Sequence, residues 1–441
     1  MSHLHLRASR ALNAAALGVL SICTLGQVVS AATLCVNPGG TGGCYTTIGA
    51  AVKAASSGDT VNVGSGQYAE GVIIGKTISL IGAGSDSTII NAKGQANGIY
   101  VDGLDNGGLF NVTITGFTVM NANFEGILLT NTSYSLIARN HVTNNDQSLD
   151  YADGLCPGQP VFETNEGDDC GEGIHLVGSQ HVTVANNESD LNSGGILLSD
   201  ETGSTFEVMI TGNLVHDNAL DCGITLASHS PSPQASSKLP YGVFYNTVQG
   251  NNSYSNGLIG AGAGIGVFAP GPGNLAFGNE IIGNIIMNNG LPGVTVHNHA
   301  APPGAPASNL NDIAIIGNYI SGNAADTEDA ATPGTAGINI YGVFPSYATR
   351  ILDNTIVNEQ IGIVMNNPGL LEAHMNNLPA TGTGVLNMGS GSLNATMNYF
   401  GCAGGPGTTG CSSVKGTLTS SPSLDAPVAT APSGRGARAA Q

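Results

Sequence analysis

Five residues in the middle of the chain have the types and spacing that acid–base chemistry needs: Glu125, Glu172, His175, Asp221 and His229. Glu125 and Glu172 each stand immediately before a glycine that opens a short apolar run, Gly126-Ile127-Leu128-Leu129 and Gly173-Ile174-His175-Leu176. Laid side by side as neighbouring strands, these runs would bring the two carboxylates to roughly 5 Å. At that separation one member is driven to hold a proton, which general acid–base chemistry uses. His175 lies on the second run. Asp221, with His216 and His229, falls one or two repeats further on, close enough for a carboxylate-oriented imidazole acting as base. The competing reading is that these are rim residues splayed into water, and that Cys222, beside Asp221, is a buried core thiol.

The elements that must position them recur. A Gly followed by Ile or Val opens a strand at Gly98, Gly126, Gly173, Gly195, Gly223, Gly264, Gly293, Gly337 and Gly362. A turn asparagine closes the following strand at Asn140, Asn187, Asn213, Asn251, Asn284, Asn318 and Asn354. The shortest interval between opening glycines is 22 residues and the longest 47, so coils of about 22 residues carry inserts of variable length. One such coil cannot bury its inward Ile, Leu and Val, but coils stacked about 4.8 Å apart make a continuous core. Asparagine suits the turns because it tolerates left-handed backbone and can pair its amide along a stacked column. That structural role also covers the Asn-x-Ser/Thr matches at Asn111 and Asn187. The expected architecture is all-β, a right-handed parallel β-helix with a short N-terminal helical cap at Thr46 to Ser57, where Ile48, Val52 and Ala55 share a face and Gly58 stops the helix.

Composition agrees. Sixty-five glycines, no tryptophan and 9% charged residues suit closely stacked backbone rather than a disordered chain. Residues 1–31 read as a secretory signal peptide: Arg7 and Arg10, an apolar stretch from Ala11 to Leu25, and Val29-Ser30-Ala31 as a cleavage site. The mature chain beyond that site holds nine of the eleven basic residues and all thirty acids, a net charge of −21. That charge opposes binding to nucleic acid and acidic membranes. It also repels a polyuronate unless a cation or local basic cluster intervenes. No later apolar run is long enough to span a bilayer. Residues 32–411 form the solenoid, and 412–441, rich in Ser, Pro and Ala, are expected to be disordered.

Cysteine spacing points to three local disulfides, Cys35–Cys44, Cys156–Cys170 and Cys402–Cys411, in an oxidising compartment, with Cys222 left over. The middle pair would close a loop within the most acidic insert, which holds Asp146, Asp150, Asp153, Glu163, Glu166, Asp168, Asp169 and Glu172. Closing it contributes on the order of 3 kcal/mol. Stapling so acidic a loop costs repulsion, so Asp153, Asp168 and Asp169 are candidate ligands for Ca2+, which prefers oxygen donors. A solvated acidic loop held only against fraying is the plainer alternative.

The segment Thr47-Ile48-Gly49-Ala50-Ala51-Val52, with Gly58-Asp59-Thr60-Val61 and Leu80-Ile81-Gly82-Ala83-Gly84, resembles the N-terminal cap of secreted parallel β-helix proteins of the pectin-lyase-like superfamily. Asn394-Ala395-Thr396-Met397-Asn398-Tyr399-Phe400-Gly401 resembles their final rung, with Tyr399 and Phe400 where family members often carry tryptophan. The resemblance implies the fold and leaves the function open, because the superfamily includes lyases, hydrolases, esterases, epimerases, adhesins and non-catalytic proteins. Asp168-Asp169-Cys170 resembles an element of polygalacturonases, but the companion motifs are missing. No basic residue stands in a recognisable lyase motif, Arg139 being the best placed.

With Gly173 as position zero, His175 points outward in a column with Leu128, Leu197, Thr225, Gly266, Thr295 and Asn339. Further along the strands come His297 and Tyr341, then Glu201, His229 and His299. Thr225, His297, Asn339 and Tyr341 are therefore candidate substrate-binding residues on a polar-aromatic strip suited to a sugar chain, and Arg139, whose coil precedes the acidic insert, is a further candidate. The expected function is a secreted, monomeric carbohydrate-active protein that binds an extracellular polysaccharide and cleaves it as a lyase or hydrolase, or epimerises it. The alternative is a non-catalytic surface or adhesion solenoid. The site is expected where Gly171 to Asn187 meets the 146–172 insert.

Overall fold

A computed structural model describes residues 31–150, 155–163, 171–229, 241–299, 302–328, 330–379 and 382–429. The chain winds through short strands that pair in parallel with those of the next coil. Among the described residues this produces sheets of thirteen, ten and twelve strands. One coil shows the plan: Thr183–Ala185 lies in the thirteen-stranded sheet, Glu188–Asp190 in the ten-stranded sheet and Gly194–Ser199 in the twelve-stranded sheet. The architecture is a right-handed parallel β-helix.

Period-two alternation sends one residue type to the axis. The inward column of the first sheet runs Ile137, Val184, Ile210, Val248, Ile281 and Ile315, in register and without exposure. Ile174 and Leu176 face the axis from the twelve-stranded sheet, aligned with Ile196 and Leu198, then Ile224 and Leu226. Stacking supplies what one coil lacks, a core with apolar neighbours above and below.

From Arg139 on, the corner between the first two sheets takes one residue in left-handed conformation and then a buried asparagine. The left-handed residues are Arg139, Asn186, Gly212, Gly250, Gly283, Gly317, Asp353, Met375 and Met397. The asparagines that follow are Asn140, Asn187, Asn213, Asn251, Asn284, Asn318, Asn354, Asn376 and Asn398. Each Nδ2 up to Asn376 donates to the next Oδ1 at 2.9–3.1 Å. The expected column is therefore real, but the left-handed backbone belongs to the preceding residue. A second ladder, Asn145, Asn192, Asn218, Asn256, Asn289 and Asn323, lines the next corner and ends on Glu359.

The opening glycines also have a common cause. A Cβ added at Gly126, Gly195, Gly264 or Gly337 would stand 2.2–2.9 Å from the carbonyl oxygen of the equivalent glycine one coil on. No side chain fits there, so glycine is selected by close approach of backbones.

The cap helix spans Ile48–Ala54, with Thr47 as N-cap and Ile48, Ala51 and Val52 buried. The Glu70 carboxylate accepts from the backbone N–H groups of Ile48 and Gly49, completing the helix N-terminus. Disulfides join Cys35 to Cys44 and Cys402 to Cys411. Cys156 is also disulfide-bonded, and Cys170 lies outside the described residues. The boundary expected at Cys411 is too early. Strand Ser413–Lys415 pairs with Thr383–Asn387, and the Leu424 and Val428 N–H groups donate to Asn398 O and Asn377 Oδ1. Ordered structure thus continues through Val428, because these segments satisfy backbone groups on the last coil.

Candidate functional site

The register of the twelve-stranded sheet matches the expected column: Leu128, His175, Leu197, Thr225, Gly266, Thr295 and Asn339 are successive partners. Their environment differs from an exposed strip. His175 is 3% exposed, Thr225 2% and Asn339 not at all. The inserts fold over this face. Leu149 and Cys156 of the acidic insert pack on Phe124, with Leu220 against them, and Asp146 accepts a short hydrogen bond from Ser193. Asn339 donates to the Ala330 carbonyl of another insert at 2.8 Å, so it braces a loop rather than facing a groove.

Glu125, Glu172 and His175 do meet. His175 Nδ1 stands 3.2 Å from Glu125 Oε1 and 3.8 Å from Glu172 Oε2, and its Nε2 is 2.8 Å from Ser199 Oγ. All three are nearly sealed from solvent, which goes against the competing reading of rim residues splayed into water. From Ser199 the polar chain continues one coil on. His229 Nδ1 lies 2.8 Å from Glu201 Oε1 and its N–H donates to Asp200 Oδ1 at 2.7 Å. The carboxylate that orients His229 is therefore Glu201, where Asp221 was expected.

Burial alone would raise Glu201, but the charge of His229 and its hydrogen bond, with help from His175 and Ser199, hold it down at about 2. Its neighbour Asp200 is pushed up to about 6, first by burial and then by the Glu201 charge. Adjacent carboxyl groups are thus split, one ionised and one able to take a proton near neutrality.

Asp221 and His229 line the mouth of a cavity of about 380 Å3 on the same face. Thr225, Phe268, Leu291, His297, His299, Asp326 and Glu328 share its wall. Thr225 Oγ1 stands 3.5 Å from Asp221 Oδ2. The His297 ring is 4.5 Å from that of Phe268 and 4.9 Å from that of His299. Cys222 belongs to the same lining and is a free, buried thiol. Burial, reinforced by Asp221, lifts its pKa far above neutrality, so it is not a nucleophile.

The five acid–base candidates therefore divide between a sealed cluster and an open pocket. Tyr341 pairs in register with His297 but is not part of the pocket wall. Arg139 is a left-handed corner residue between the other two sheets, away from the site. Asp153, Asp168 and Asp169 lie outside the described residues. Ser199, Phe268, Asp326 and Glu328 are not among the candidates read from the sequence, and Glu201 is placed along the strands there without a role. The only available signal for Asp326 and Glu328 was a second acidic insert before an opening glycine.

His216 sits on the ten-stranded sheet instead, 3.3 Å from Glu188 and 2.8 Å from Asp217. Beside it, His141 Nε2 lies 2.9 Å from Asp190 Oδ1. That hydrogen bond raises His141 despite its partial burial. Burial of Asp190 opposes its ionisation, but bonds from His141 and Thr143 outweigh that and lower it. The His141 contribution is present below its unfolded pKa and lost as pH rises through the raised value. The Asp190 contribution is present above its unfolded pKa and lost as pH falls through the lowered one. Asp190→Asn is expected to cost under about 1 kcal/mol, most of it between about pH 4 and 6.5 and less at pH 8.5. Urea melts at pH 5.5 and 8.5 would show it, and an equal loss at both would refute the pairing.

Outside this face, an aromatic row follows the axis. Phe206, Phe244 and Phe277 stack with centroids 5.4 and 5.0 Å apart, and Tyr134 stacks on His181 at 4.5 Å.

The comparisons agree with the right-handed parallel β-helix fold described above. The family model described as "Right handed beta helix region" matches residues 71–238, and that described as "Periplasmic copper-binding protein (NosD)" matches residues 161–335. Among solved structures the chain is similar to the catalytic unit of a thermostable GH87 alpha-1,3-glucanase from Streptomyces thermodiastaticus strain HF3-3: 14% identity, TM-score 0.54, covering 86% of this chain and 65% of that one. It is also similar to DFA-IIIase from Arthrobacter chlorophenolicus A6 without its lid, at 11% identity and TM-score 0.50, covering 85% and 94%. Geobacillus virus E2 ORF18 matches at 12% identity and TM-score 0.44, covering 78% and 58%. The chain thus spans less than two thirds of the glucanase unit and of the viral chain. No curated protein matches it.

Proposed function

We propose that the protein is an exported, carbohydrate-active β-helix protein that binds a neutral glycan in the Asp221–His229 pocket and hydrolyses it. The observation that carries this reading is the composition of one open cavity. It has an aromatic wall at Phe268, imidazoles at His297 and His299, and carboxylates from two directions, Asp221 from the coil and Asp326 and Glu328 from an insert. A sugar ring can lay its C–H face on Phe268 while its hydroxyl groups bond the polar rim. Carboxyl groups on either side of a glycosidic bond can act as acid and base. A glucanase is built on the same fold, which agrees with this reading. The acidic chain disfavours uronates, and its disulfides suit an extracellular or periplasmic setting.

Among the described residues no helix is long and apolar enough to cross a membrane. The His/carboxylate groups with ligand atoms within 4.8 Å of one another lie outside the Asp221–His229 pocket among the described residues. A non-catalytic glycan-binding solenoid is the second reading, favoured by the aromatic row Phe206–Phe244–Phe277.

Turnover should be screened on neutral and uronate polysaccharides, with Asp221→Asn beside the wild type. The variant is expected to lose at least about 100-fold in kcat/KM with an unchanged melting temperature. No turnover on any substrate, with glycan binding intact, would establish the second reading instead.

A further inference from the structure

The sealed cluster beside the pocket gathers several carboxylates around one imidazole. Glu125, Glu172 and His175 are each 3% exposed or less. From the acidic insert, Glu163 sends its carboxylate into the same space, so that ligand atoms of Glu125, Glu163 and His175 all lie within 4.8 Å of one another. Glu125 Oε2 is buried with no hydrogen-bond partner among the described residues. Three carboxylates gathered around one imidazole away from water are an arrangement that burial disfavours and that a bound cation would relieve.

We propose that Glu125, Glu163 and His175, with Glu172 beside them, bind one divalent transition-metal cation. The donor set is oxygen-rich with a single nitrogen, which suits Mn2+ or Zn2+ better than the all-oxygen cages of Ca2+. His175 is oriented for the task. Its Nδ1 faces the carboxylates, while its Nε2 lies 2.8 Å from Ser199 Oγ, the outer hydrogen bond that fixes the tautomer of a ligating imidazole. The framework is rigid, since Glu125 and Glu172 occupy the same place on successive coils and a Cβ at Gly171 would press within 3.1 Å of Glu125 Cδ. The insert, by contrast, supplies its ligand from a loop. Metal binding would then also fasten the insert over the sheet. The site stands whether or not the neighbouring pocket turns over a glycan.

The full chain, stripped with chelator, should be titrated with Mn2+ and followed by the electron paramagnetic resonance of the free ion and by thermal melting. One ion per chain is expected, with a raised melting temperature, displacement by Zn2+ and poor displacement by Ca2+. Glu163→Gln, which changes only the loop ligand, should weaken binding at least about tenfold and abolish the melting shift. His141→Ala, at the cluster on the other sheet, should leave both unchanged. Absence of binding, binding untouched by Glu163→Gln, or loss in His141→Ala alone would overturn the assignment.

Discussion

Asn251→Ala is expected to cost about 3–5 kcal/mol and to lower the urea midpoint more than any exposed substitution. Asn251 Oδ1 accepts from both the backbone N–H and the Nδ2 of Asn213, while its own Nδ2 donates to Ile210 O and Asn284 Oδ1. Alanine removes all four bonds and leaves the Asn213 N–H and the Ile210 carbonyl facing a dry gap. Aspartate would fare no better, because it keeps the acceptor but loses both donors and buries a charge. Its half-buried neighbour Asn252 is the control, where Ala should change stability by no more than about 0.5 kcal/mol. Equal effects at the two positions would show that the ladder contributes nothing beyond ordinary turn propensity.

Gly195→Ala is expected to destabilise by about 3 kcal/mol, at the upper end for overpacking. The new Cβ would lie 2.2 Å from Gly223 O and 2.2 Å from Val215 Cγ1. The valine methyl could move, but the carbonyl is part of the next coil, so the spacing between coils would have to open. Pairing the change with Val215→Ala should therefore fail to restore stability. Gly283→Ala separates this from a conformational cost, since nothing lies near its Cβ and only its φ of 62° resists a side chain. That variant should lose about 1 kcal/mol. If the two glycine variants melt together, close approach is not what selects glycine at the coil opening.

Both effects sit on positions the sequence displays openly. The opening glycines and the first asparagine column follow from spacing alone, because every coil must repeat the same backbone geometry to stack. The second ladder was equally visible and went unread. It follows the first by five residues at Asn140/Asn145, Asn187/Asn192, Asn213/Asn218, Asn251/Asn256, Asn284/Asn289 and Asn318/Asn323. Register was legible too, since the column through His175, Thr225 and Asn339 is as the alternation demands. Burial was not. It depends on where the inserts come to rest, and an insert has no period to read. Hence His175 moved from an exposed strip into a sealed cluster, Asn339 became a loop brace, and the open pocket lies around Asp221 and His229 rather than against the acidic insert. Glu163 illustrates the same limit, since nothing in its neighbours' sequence announces that it reaches Glu125.

The two-residue corner that recurs from Arg139 on bears on how such a chain can diversify. Among the described residues the long insertions enter or leave the twelve-stranded sheet, and none interrupts the corner that carries the first ladder. That corner acts as a phase keeper. It resets the winding after each excursion, so whatever length is added upstream, the next coil starts at the same angle and height. The molecule thus separates the part of its sequence that counts from the part that is free to vary, and the candidate pocket and the sealed cluster lie on the side where variation leaves the count unchanged.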